Sequence, residues 1–140
     1  MDQQRLHFDV RAATGEAMGQ VAARIGRALN LTFTEREWDD RPAHFGSGLG
    51  FGLRLTAAGT YDNPEVQLVA YTRVDVSFPF TEVDISPYVA GLLTTLTRLD
   101  WYVPSAEQIA DEREAYRLAT LWSDQWSRTD EERAAELNEG

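Results

Sequence analysis

Leu6, Phe8 and Val10 alternate with His7, Asp9 and Arg11, the period-two pattern of a strand with one buried face. From Thr14, a residue type that caps helix N-termini, the positions Met18, Val21, Ala22, Ile25, Ala28 and Leu29 recur at helical spacing. Asn30 then suits the left-handed residue that closes a helix. Leu31, Phe33 and Glu35 continue into a second strand, and the charged stretch 38–47, with its proline and glycines, reads as a loop. A third strand is expected from Gly48. Leu49, Phe51, Leu53 and Leu55 lie on one face of it, and Gly48, Gly50, Gly52, Arg54 and Thr56 on the other. A turn over 58–64 leads to a long strand from Glu65 to Val76, with Val66, Leu68, Ala70, Val74 and Val76 on one side. Val69 and Tyr71 make its other side apolar too, as in a central strand.

Pro79 interrupts the next apolar run, so 78–83 reads as an edge strand or an irregular crossover. Ser86-Pro87 is a helix start, followed by the stripe Tyr88, Val89, Leu92, Leu93, Leu96 and Leu99. The chain breaks over 100–104. Ser105 and Gln108 then form a capping box for a helix expected to run to about Arg128, with Ala115, Leu118, Ala119, Trp122 and Trp126 on its apolar side. This order predicts an α+β domain of two layers: a mostly antiparallel sheet of four to five strands, one N-terminal helix and two C-terminal helices. Residues 1–128 are expected to form a single domain, and 129–140 an acidic extension of the last helix or a flexible tail.

Composition narrows the classes. The chain has 140 residues, 43% of them hydrophobic, enough for one packed core. The absence of cysteine removes disulfide frameworks, thiolate metal sites and cysteine nucleophiles. No basic region precedes an apolar run at the N-terminus and no stretch has transmembrane length, so the expected address is the cytoplasm. All 13 basic residues are arginine, which reads as a G+C-rich bacterial or phage coding bias. The net charge of −10 repels phosphate backbones and anionic lipid, so neither direct nucleic-acid binding nor a membrane partner is expected.

Candidate chemistry is sparse. His7 alternates outward on the first strand, and His44 stands in no metal-ligating spacing. The carboxylates Glu35, Glu37, Asp39 and Asp40 cluster near it without an EF-hand pattern. A small-ligand or metal-dependent enzyme using Asp39, Asp40 and His44 is the catalytic alternative, and it requires those side chains to converge in a pocket. The run Gly46 to Gly52 lacks a P-loop's lysine and hydroxyl residue and fits no G-x-G-x-x-G. It reads as a strand with a bare face, beside which a small-ligand module would need an apolar cavity. No G-x-S-x-G elbow is present. No catalytic residue, metal ligand or cofactor is therefore expected.

Aromatic residues and negative charge gather instead in the C-terminal third. Trp101, Tyr102, Trp122 and Trp126 are residue types that anchor interfaces. Asp111, Glu112, Glu114 and Asp124 accompany them, a charge pattern that speeds encounter with a basic partner. These eight residues are the candidate partner-binding set, and a homodimer through the same surface is compatible with them. The run Arg24 to Phe33, closing a helix into a strand, the Leu49 to Val76 hairpin and the acidic C-terminal helices together resemble the layout of small acidic immunity proteins of bacterial toxin systems. The resemblance implies a non-enzymatic inhibitor that neutralises a basic toxin or nuclease. The alternative in the binding class is a phage or bacterial regulator that mimics nucleic-acid charge, whose affinity would fall steeply with salt.

Overall fold

The alternation at the start of the chain builds β1 (Gln3–Ala13), which turns Phe8, Val10 and Ala12 into the core. The structure, a computed structural model, describes residues 3–121 in two compact units, one ending at Val103 and the other beginning at Pro104. After β1 the first unit continues with α1 (Met18–Leu29), β2 (Phe33–Trp38), β3 (Arg41–Gly48), β4 (Phe51–Gly59) and β5 (Pro64–Thr72). It ends with β6 (Phe80–Asp84), α2 (Ser86–Thr97) and β7 (Trp101–Tyr102). Within the described part of the second unit, residues 106–121 form helix α3.

The sheet runs β2-β3-β4-β5-β1-β6, and β7 pairs with the far end of β1. All pairings are antiparallel except β1 with β6. The class is thus α+β with a mostly antiparallel sheet, as expected. The described residues hold seven strands rather than four to five.

Register explains the core. Phe8 faces Ala70, which faces Leu53, and Val10 faces Leu68, which faces Leu55, so three strands present continuous apolar rows to one side. Val21, Ala22 and Ile25 of α1, Ala90 and Leu93 of α2, and Trp101 join the same buried cluster, which places both helices on that face. Ile25, Leu55, Leu68, Leu93 and Val10 are fully buried, each contributing roughly 1.5–3 kcal/mol by leaving water.

The stretch 38–47 is mostly strand, not loop. Asp39 and Asp40, with φ of 52° and 59°, form a two-residue turn between β2 and β3, the backbone that matches strand twist and that Asp tolerates better than most residues. Pro42 fits in β3 because it lies opposite Glu37 of β2, before the ladder to β4 begins at Ala43. A second such turn, Leu49-Gly50 with φ of 54° and 83°, starts β4 at Phe51 and leaves Leu49 80% exposed. The expected bare glycine row is therefore divided between two strands. Gly48 faces the helices beneath the Leu31 side chain, whereas nothing lies within 4 Å of where a Cβ on Gly52 would stand. The long strand ends at Thr72, and Val76 is exposed.

Helix ends also differ in detail. Asn30 closes α1 in the left-handed region (φ 55°), and the Leu31 N–H reaches the Gly26 carbonyl at 2.9 Å. At its start, however, Thr14 Oγ1 accepts the Glu16 N–H in a turn just ahead of the helix, and Ala17 is the N-cap residue. At the start of α2 the N-cap residue is Ile85, which makes no side-chain cap hydrogen bond, and Asp84 just ahead of it accepts the Ser86 N–H at 2.9 Å. The apolar stripe of α2 is split: Leu93 is buried and Val89 packs against the core, while Tyr88, Leu92 and Leu96 are exposed.

Candidate functional site

Helix α3 starts as the capping box requires, with the Gln108 N–H donated to Ser105 Oγ at 3.0 Å. Every residue from 110 to 121 is exposed. The acidic Asp111, Glu112 and Glu114 therefore share an open helix with Tyr116, Leu118 and Leu121, which are 63%, 46% and 46% accessible. Arg117 donates to both carboxylate oxygens of Glu114, at 2.6 and 3.1 Å, so one of the acids is internally balanced. Trp122, Asp124 and Trp126 lie outside the described residues.

The first two aromatics of the candidate set have structural places in the sheet unit. Trp101 is 4% exposed in the core cluster, its Nε1 donates to Thr97 Oγ1 at 2.9 Å, and its N–H reaches Thr94 Oγ1. A side chain so placed offers no surface to a partner. Tyr102 is half-buried beside β1 and donates its hydroxyl to Glu65 Oε1 at 2.6 Å. The sequence signal for their burial was the two-residue strand β7, too short for periodicity to register.

The residues of the catalytic alternative are not brought together. Asp39 and Asp40 form the exposed hairpin turn, while His44 stands four residues further along β3, opposite Glu35, on the side that carries the helices. Among the described residues no group of three or more His, Asp or Glu is placed to hold a metal ion.

Two of the concavities in the sheet unit lie on opposite faces of the sheet. One, of about 580 Å³, opens between α1 and the β2–β3 hairpin, with Arg27, Glu35 and His44 in its lining. The other, about 140 Å³, lies on the opposite face of the sheet over Gly52, walled by Phe45, Arg54, Val69 and Tyr71. Around the second, the Arg54 guanidinium stacks 3.8 Å over the Trp38 ring and that of Arg5 4.4 Å over Tyr71. The sequence hinted at neither stack, because Trp38 and Arg54 meet only across β3, the strand that its turn residues conceal.

The fold and these surfaces define a mostly antiparallel α+β protein with an exposed acidic helix. No protein-family model matches the chain, and no curated protein or solved structure matches it either. No helix among the described residues is long and apolar enough to cross a membrane.

Proposed function

We propose that this chain is a non-enzymatic protein-binding module of the immunity or inhibitor type, which neutralises a basic partner protein, a toxin or nuclease, on its acidic C-terminal helix. The observation that carries the reading is the exposure of Tyr116, Leu118 and Leu121 beside Asp111, Glu112 and Glu114 on α3. A helix that leaves an aromatic and two leucines in water has burial still to gain, and that gain is realised when a partner covers it. Aromatic and leucine burial supplies affinity, and the carboxylates supply encounter rate and partner choice. Trp101 is excluded from this surface by its burial.

The test compares capture from source-cell lysate by the full chain and by a Tyr116→Ser/Leu118→Ser/Leu121→Ser variant, at low and high salt. A stoichiometric basic protein held by the parent chain at high salt and lost by the variant supports the reading. Capture that survives the variant, or vanishes with modest salt for the parent chain, overturns it, the latter outcome favouring charge mimicry.

A further inference from the structure

We propose that the cleft between α1 and the β2–β3 hairpin binds a small apolar zwitterion, a free α-amino acid or a dipeptide. Its carboxylate meets Arg27, and its ammonium lies between Glu35 and His44. The proposal involves no residue of α3 and stands whether or not that helix docks a protein.

The cleft exists because of the residues that wall it. On α1 the lining positions are Gly19, Ala22, Ala23 and Gly26, and a Cβ on Gly19 would meet nothing within 4 Å. No long side chain from these positions fills the space between the helix and the hairpin, which leaves about 580 Å³, within the ordinary range for small-molecule sites. Leu31 and Phe33 supply an apolar wall, and Phe33 is itself seated over Gly46, whose absent Cβ would lie 3.2 Å from the ring.

Arg27, Glu35 and His44 line this space. Glu35 and His44 are directly opposed across β2 and β3, the relation that brings Cβ atoms to about 4.5–5.5 Å. His44 lines the cleft with the rest of its ring, because its Nδ1 is shielded from water and has no hydrogen-bond partner. Neither Arg27 nor Glu35 makes an ion pair or hydrogen bond with another described residue. The lining thus presents one cation, Arg27, and one carboxylate, Glu35. A simple anion would be repelled by Glu35 and a simple cation by Arg27, whereas a zwitterion satisfies both. An ammonium donates to Glu35 beside the His44 ring, which sets the ligand's direction, and its side chain then falls on Leu31 and Phe33.

The experiment is a titration of the isotope-labelled full chain with l-leucine and, separately, with the dipeptide Leu-Leu, read by amide and His44 imidazole resonances. N-acetyl-leucine, which lacks the ammonium, and leucinamide, which lacks the carboxylate, are the controls. Both zwitterions are tested, and the tighter one identifies the source. The expected result is a response centred on residues 19–35 and His44, with each control weaker by about tenfold or more, the worth of one charge-assisted hydrogen bond. Glu35→Gln should abolish discrimination against N-acetyl-leucine and Arg27→Gln discrimination against leucinamide; both side chains are exposed enough for the fold to tolerate the change. No response to either zwitterion at millimolar concentration, or controls that bind as well as leucine, would overturn the proposal.

Discussion

The Ser86 hydroxyl donates to Asp84 Oδ1 while accepting the Asp9 N–H at 3.0 Å, so one fully buried side chain ties the start of α2 to both β6 and β1. These hydrogen bonds, from the hydroxyl first and also from the Ser86 N–H, hold the Asp84 carboxyl below its ordinary value of 3.8, with the nearby His7 charge acting in the same direction. A folded-state value below the unfolded one means that the contribution is fully present above pH 3.8 and is lost as pH falls through the depressed value. Denaturant midpoints measured from neutral pH into acid should fall on that limb, and Asp84→Asn should flatten it. Asp84→Ala should cost about 1–2 kcal/mol at neutral pH, as loss of the charged acceptor of the Ser86 hydrogen bonds does.

The Arg54 guanidinium stacks on the Trp38 ring at 3.8 Å. A double-mutant cycle with Trp38→Leu and Arg54→Met should give a coupling of about 0.5–1 kcal/mol, because the pair is only partly desolvated. A coupling indistinguishable from zero would mean that the stack does not persist in solution.

Trp101 separates a core role from a binding role. Trp101→Phe removes the Nε1 donor to Thr97 and should destabilise the fold by about 1–2 kcal/mol in urea unfolding. Trp101→Ala should cost about 3–5 kcal/mol. A Phe variant with unchanged stability but impaired partner capture would contradict the buried placement.

Two glycines in the left-handed region should respond to different degrees. At Gly59 (φ 75°) a Cβ would stand 2.3 Å from the Asn63 carbonyl oxygen, whereas at Gly50 (φ 83°) nothing lies within 4 Å. Gly59→Ala should therefore cost about 2 kcal/mol or more, and Gly50→Asn less than about 1 kcal/mol, as read by thermal unfolding.

Much of the fold was legible where local pattern and tertiary environment agree. The alternation of β1, the Asn30 stop of α1 and the Ser105 cap of α3 each follow from residues adjacent in sequence. What escaped depends on partners distant in sequence. β3 was hidden because Asp39-Asp40 is an uncommon choice for its turn and because Pro42 signals a break unless the register against β2 is known. Likewise β6 pairs in parallel with β1, which nothing between Phe80 and Asp84 encodes. The candidate cleft escaped for the same reason: Glu35 and His44 face each other only once β2 and β3 are paired, and a reading of 38–47 as loop grouped His44 with Asp39 and Asp40 instead.

Strand β1 is paired with β5 on one side and with β6 and β7 on the other, so a strand made before all of its neighbours has to wait for every one of them. The hairpins β2–β3, β3–β4 and β4–β5 join consecutive segments and can close as they emerge. Until Thr72 has been made, Phe8 and Val10 have no strand to lie beside, and the nascent chain carries a greasy segment that chaperones or premature contacts will find. Folding of the sheet unit therefore ends with the insertion of its first-made strand into a sheet built from later ones.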